Sequence, residues 1–165
     1  MDPERASITA LGAAYRRAYH YTHDTPKVIE DCFAALFVSD DEATAIENGF
    51  IHILTQARPH LLVEGDRAAT LANAFHTDTG TPLVLGRARY NEDLLETAIR
   101  NGVTQYVLVG AGFDTFALRR SDLRDQVPVA VVSIMGADAP GQSAQPRVLL
   151  LEDHVAAAIE QISQL

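Results

Sequence analysis

The sequence lacks the marks of several common chemistries. Its single cysteine, Cys32, excludes an internal disulfide, and its place in the apolar run from Val28 to Val38 predicts a buried thiol. The start, MDPERAS, has neither a basic opening nor an apolar core of the secretory kind. No apolar run approaches the roughly 18 residues needed to span a bilayer. These absences predict a soluble, cytoplasmic protein with no membrane partner. Positive charge is also short: 13 Lys and Arg stand against 22 Asp and Glu, for a net charge of −9. Nucleic acid is therefore excluded as the main partner, because phosphate binding needs a positive face. A small anion held by one or two arginines is still allowed. His20 and His23 stand three apart just before Asp24, but His52, His60 and His76 are scattered and no Cys/His spacing supports zinc, so no metal is expected. There is no nucleophile elbow and no Gly-Lys-Ser/Thr phosphate loop.

What is present is enough for one domain. The 165 residues are 47% hydrophobic and 21% charged, a globular composition with a core of its own. The first half reads as helical. Ile8, Leu11, Tyr15 and Tyr19 recur at helical spacing behind Ser7 or Thr9, predicting a helix through Tyr21. Thr25-Pro26 reads as a second helix start, with Val28, Ile29, Cys32, Phe33, Leu36 and Phe37 on its apolar face. Asp40-Asp41-Glu42 place acids at the positive end of a third helix, which Pro59 interrupts. A further helix is expected from Asp66 to Phe75. After the turn-like HTDTGT (76–81), a long helix runs from Leu83 to Arg100 and ends at Asn101-Gly102. Gln105–Val109 and Pro128–Ile134 are the two convincing strands, with a crossover helix from Asp114 to Arg124 between them. ADAPGQSAQP (137–146) reads as a loop, Arg147–Leu151 as a third strand and Asp153–Gln164 as a closing amphipathic helix. The fold class is α/β: a helical N-terminal half on a truncated Rossmann-like parallel sheet. As a single domain it divides into a lid-like region (1–81), a helix-strand-helix-strand core (82–136) and a divergent tail (137–165).

The stretch VLVGAGFDTFALRR (107–120) carries the chemistry. A strand empties into Gly110-Ala111-Gly112, where absent side chains let a ligand approach the backbone, and a helix follows with free N–H groups. The third glycine of a dinucleotide fingerprint is missing, which argues against a nicotinamide cofactor. Gly110-Ala111-Gly112-Phe113-Asp114-Thr115 with Arg119-Arg120, preceded by Arg87-Ala88-Arg89-Tyr90, resembles the leucine carboxyl methyltransferase-like family of S-adenosylmethionine-dependent methyltransferases. The opening Ala6–Ala10 with Arg17-Ala18, and the region from Pro26 to Asp31, resemble the same family, so the likeness covers about the first 125 residues in order.

The resemblance implies S-adenosylmethionine as cofactor and O-methylation of a small-molecule carboxylate or hydroxyl, a polyketide-type metabolite among the candidates. Arg87 would pair with the methionyl carboxylate through two parallel hydrogen bonds. Gly110, Ala111 and Gly112 would pass beneath the cofactor, Asp114 would accept hydrogen bonds beside the loop, and Thr9 and Arg17 would belong to the lid. Each residue also has a plainer reading. Arg87 and Arg89 could be a solvated face paired with Glu92, Asp93 and Glu96, Asp114 could cap a helix, and Arg119-Arg120 reads as a surface or domain-packing pair rather than a catalytic one. In the family the second strand ends in an acid that receives the ribose hydroxyls, followed shortly by Asp-His-Pro. Here Gly136 stands in the acid's place and Asp138-Ala139-Pro140 echoes the tripeptide, leaving Asp138 as the substitute acceptor. Family members also continue with more strands and helices. A sheet this small leaves an edge open, for which a homodimer is the remedy. The alternative to a methyltransferase is a truncated, non-methylating derivative serving as a binding or assembly module or a repurposed pocket.

Overall fold

The computed structural model describes residues 7–134 and 146–150. The loop 137–145, Gly136, Asp138 and the closing helix Asp153–Gln164 lie outside the described residues.

Helix α1 spans Ile8–His23 and buries Leu11, Ala14, Tyr15, Arg17, Tyr19 and His20. Its aromatic face meets α2 (Asp40–Ala57) and α3 (Arg67–Thr77) in a cluster of Tyr15, Tyr19, Phe50, Leu54, Leu71, Ala74 and Phe75. Both partners begin where the sequence supplies a cap. The Ser39 hydroxyl accepts from Glu42 N–H while the Glu42 carboxylate accepts from Ser39 N–H, and Asp66 accepts from Ala69 N–H at 2.9 Å. Pro59 ends the α2 pattern in a short 3₁₀ turn, Pro59–Leu61.

Helix α4 spans Gly80–Arg100 and so starts earlier than the sequence suggests. Asp78 is the reason. Its carboxylate accepts from the Thr81 N–H at 2.8 Å and the Thr81 hydroxyl at 3.0 Å, turning part of the expected loop into a first helical turn. The same oxygen takes Nε of Arg16 at 3.0 Å, which ties α4 to α1.

The expected second helix does not form. Residues 24–33 are irregular, and only Ala34–Phe37 makes a 3₁₀ turn. Backbone groups there find other partners: Val28 N–H donates to Nε2 of His20 at 2.8 Å, and Phe33 and Ala34 N–H donate to Asp31. In consequence the expected apolar face is split. Ile29 and Phe37 are buried, whereas Val28 and Leu36 are exposed and Cys32 is exposed too, which corrects the expectation of a buried thiol. The carboxylate next to it in sequence, Asp31, takes the interior position instead.

Strand β1 (Tyr106–Val109) pairs in parallel with β2 (Val129–Ile134), Tyr106 opposite Val129 and Val109 opposite Val132. Strand β3 (Pro146–Leu150) joins the far side of β2, giving the order β1-β2-β3. It runs antiparallel to β2, so only the β1–β2 pair has the parallel geometry expected for the whole sheet. The crossover is two short turns, α5 (Phe116–Arg119) and α6 (Ser121–Arg124), rather than one helix. The backbone leaves helical angles at Arg120 (φ −108°, ψ 54°), whose guanidinium reaches Glu92 and Glu96 on α4. A second cluster, Leu95, Phe116, Leu123 and Val129 with Tyr106 and Leu108, packs α4 and the crossover on one sheet face. A third joins the two halves, with Ala14 and Phe37 meeting Phe113. The Phe37 and Phe113 rings stack at 5.1 Å.

Candidate functional site

At the end of β1 the chain enters the left-handed region twice. Gly110 has φ 66° and Gly112 φ 56°, conformations that cost an L side chain about 1–2 kcal/mol. A Cβ built at Gly110 would meet nothing within 4 Å among the described residues. At Gly112 it would lie 3.5 Å from Cβ of Ala10, where the first turn of α1 crosses the loop. The half-buried Ala111 sits between them, its carbonyl accepting from Asp114 N–H at 3.0 Å to close the turn. Asp114 in turn accepts from Phe116 N–H at 2.7 Å, so its carboxylate is engaged by backbone at the start of α5.

The flanks of this hinge are held by the N-terminal half. Arg17 is buried, donating from Nε to Asp31 at 2.7 Å and from Nη2 to the Phe113 carbonyl at 2.6 Å. Asp31 is fully buried and also accepts from the Thr115 hydroxyl at 2.6 Å. That hydroxyl accepts from Nε of Arg119 at 2.8 Å. Arg119 continues to Glu92, and Arg120 donates to the same Glu92 as well as to Glu96 and Asp122. Among the described residues no buried side-chain polar atom is left without a partner. The hydrogen bonds that Arg120 donates to Asp122, Glu96 and Glu92 push its guanidinium still further above its ordinary value despite partial burial. Burial pushes the Tyr106 hydroxyl up, and the charges of Asp114 and Glu92 add to it.

Of the residues the sequence proposes, Gly110, Ala111, Gly112 and Asp114 share one turn, and Arg17 reaches it. Thr9 is exposed in the first turn of α1, beside Ala10. Arg89 pairs with Asp93 at 2.7 Å on the surface, as helical spacing suggests. Glu92 and Glu96, however, are taken by Arg119 and Arg120, and Arg119-Arg120 is a packing pair. That leaves Arg87 exposed and without a hydrogen-bond or ion-pair partner among the described residues. Every other arginine whose side chain is described donates at least one such bond. Asp138 falls outside the described residues. Sequence reasoning missed Asp31 and Thr115 as parts of this site. A carboxylate inside an otherwise apolar run is the available signal, since a charge buried there needs an internal partner.

The histidines form a separate feature. His20 is buried with Nε2 accepting from Val28 and Nδ1 bonded to Asp24, and Nε2 of the exposed His76 bonds the other Asp24 oxygen at 2.9 Å. Burial pushes the Asp24 carboxyl up, but the hydrogen bonds from His76 and His20 outweigh it and hold it below the usual range. Among the described residues no group of three His, Cys, Asp or Glu could hold a metal, and no helix is long and apolar enough to cross a membrane. A cavity of about 190 Å³ between the ends of α2 and α3 is lined by Phe50, Leu54, Ala74, Arg58 and Asp78 among others, with no residue from the hinge.

Residues 10–134 match the family model described as leucine carboxyl methyltransferase. The chain is 30% identical over 131 residues to a protein of Bacillus subtilis (strain 168) whose name describes a putative S-adenosyl-L-methionine-dependent methyltransferase, YktD. That match takes in 78% of this chain and 43% of the relative, so the chain spans less than half the length of the curated relative it matches. No solved structure matches the chain.

Proposed function

Because the chain belongs to the leucine carboxyl methyltransferase family, we propose that its glycine hinge is the seat of S-adenosylmethionine and that the protein acts in methyl transfer. The observation that carries this reading is the pair of left-handed glycines at the mouth of a parallel strand, with no described residue in front of Gly110. Arg87 is the residue for the cofactor's carboxylate. Helix α4 packs back along β1 in one apolar cluster. Arg87 stands about 12 Å along α4 before Leu95, which shares that cluster with Leu108, two residues before Gly110. Gly110, Ala111 and Gly112 offer backbone N–H groups and no side-chain obstruction, and Asp114 holds the end of the turn.

S-adenosylmethionine brings a methyl group already activated on a sulfonium centre, so the chain's task is to hold and align rather than to move protons. Thr9, exposed at the start of α1 next to Ala10, is the lid residue we assign to that task. The acceptor we propose is a carboxylate or hydroxyl of a small molecule, a class consistent with the carboxyl named in the family's description. Asp138 remains the proposed acceptor for the ribose hydroxyls. Self-association as a homodimer belongs to the same proposal: β1 is an edge of the described sheet, and its Val107 and Val109 side chains are exposed.

Calorimetry with S-adenosylmethionine and S-adenosylhomocysteine tests the reading. Micromolar binding to the wild type, weakened at least about tenfold in Arg87→Ala, supports it. No heat from the wild type leaves the non-methylating, binding-module derivative in its place. Light scattering on a size-exclusion column tests self-association, and a stable monomer refutes it.

A further inference from the structure

We infer that Asp31 is a positioning residue for the glycine hinge, acting through Arg17 and Thr115 to hold the loop in the shape that receives a ligand. The inference rests on the reading of that hinge as the cofactor's seat, but it concerns how the seat is kept in shape.

The geometry is that of a bracket. Asp31 has no exposed surface, and its two oxygens are divided between tasks. Oδ1 accepts from Ala34 N–H at 3.0 Å and Phe33 N–H at 3.3 Å, which ties the carboxylate to the N-terminal half, and it lies 3.6 Å from Nε of Arg119. Oδ2 accepts from Arg17 Nε and from the Thr115 hydroxyl, and so faces the loop. Arg17 carries the connection to the Phe113 carbonyl. Positions 113 and 115, immediately after Gly112, are thus both anchored to one buried charge, while Asp114 between them is held by Phe116 N–H.

Glycines with positive φ gain freedom when unconstrained, so a loop containing two of them needs its flanks fixed from elsewhere to keep one conformation. The two anchors come from residues 96 and 84 positions away in sequence. Neither is in the crossover or the sheet. The helical half therefore does more than cover the loop: it sets the loop's backbone.

Removing the Asp31 carboxylate would strand the buried Arg17 guanidinium and risk unfolding the chain, so the test is placed on Thr115. Thr115→Val keeps the shape and loses the hydroxyl, and Thr115→Ser restores the hydroxyl. Hydrogen exchange on the ligand-free full chain is the first readout. Thr115→Val should speed exchange at amides 110–118 at least about tenfold while leaving α2 and α3 within about threefold of wild type, and Thr115→Ser should return the loop to wild-type rates. Calorimetry with S-adenosylhomocysteine is the second, where the valine variant should bind at least about tenfold more weakly and the serine variant close to wild type. Acceleration spread evenly over the chain, or a loop unchanged by valine, overturns the inference. If the wild type binds no S-adenosylhomocysteine, the cofactor reading fails and the exchange pattern alone decides the bracket.

Discussion

The Arg17 guanidinium donates from Nη2 to the carbonyl oxygen of Phe113 at 2.6 Å, joining positions 96 apart in the chain. The same guanidinium neutralises a carboxylate with no exposed surface, which Nε of Arg119 approaches at 3.6 Å from the other side. Arg17→Ala should therefore cost about 3 kcal/mol, the lower end of the typical penalty for stripping a buried charge of its partner, because Arg119 stays in place. Urea unfolding followed by circular dichroism measures it, and Arg17→Lys should recover only part, because an ammonium cannot reproduce two divergent guanidinium contacts. A loss under about 1 kcal/mol would mean the pair carries little of the folded state.

Gly110→Ala and Gly112→Ala should each lose about 1–2 kcal/mol, the cost of forcing an L side chain into the left-handed region. Space is not the issue at either position, since one Cβ is unopposed and the other makes ordinary contact with Ala10. The two variants should differ in ligand binding rather than in stability: the methyl at 110 meets no described residue, whereas that at 112 faces α1. Denaturant midpoints and calorimetry on both variants check this. Equal effects on S-adenosylhomocysteine binding would count against Gly110 as the contact face.

Acid should weaken the fold through Asp78 and Asp24. Burial raises each carboxyl, but Arg16 and Thr81 for Asp78, and His76 and His20 for Asp24, hold both below the ordinary range. A carboxyl lowered on folding contributes stability that is complete above its unfolded value, about 4, and is lost as pH falls through the folded value. Stability should therefore decline from about pH 5 downward, and Asp78→Asn should flatten that decline while costing about 1 kcal/mol at pH 7. Urea titrations from pH 7 to pH 3 measure both. An unchanged slope in the variant would remove Asp78 from the account.

Ser39→Ala should destabilise by about 1 kcal/mol, since it deletes half of a reciprocal cap at the head of α2. Thermal melting with near-ultraviolet detection reads the loss. The Cys32 thiol, exposed beside buried Asp31, should react with a thiol reagent in the native protein without unfolding.

Much of this arrangement is legible in the order of residues alone. The acidic start of α2 at Asp40–Glu42, the helix from Asp66, the Pro59 break, the glycine end of α4 and the two parallel strands all follow from local residue chemistry. Local chemistry fails where a distant partner decides the outcome. Pro26 to Phe37 has a helical apolar rhythm, yet His20 and Asp31 capture its backbone N–H groups and the helix is lost. The early start of α4 depends on Asp78, which is held in turn by Arg16, 62 positions earlier. At the site, the glycines and Asp114 are marked by their spacing. Thr115 and Asp31 are not, because their roles exist only when the two halves meet. Arg87 is legible as a residue, whereas its lack of a competing carboxylate depends on Arg119 and Arg120 occupying Glu92 and Glu96.

The ladder between β1 and β2 acts as a ruler. With Val109 opposite Val132, Gly110 stands level with Ser133, so the polypeptide leaving the second strand departs from the same rim as the hinge. Inserting one residue into β2 would swap the faces of everything beyond it, and inserting two would carry the exit about 7 Å past the rim. Strand length here is thus tied to reach, quite apart from packing.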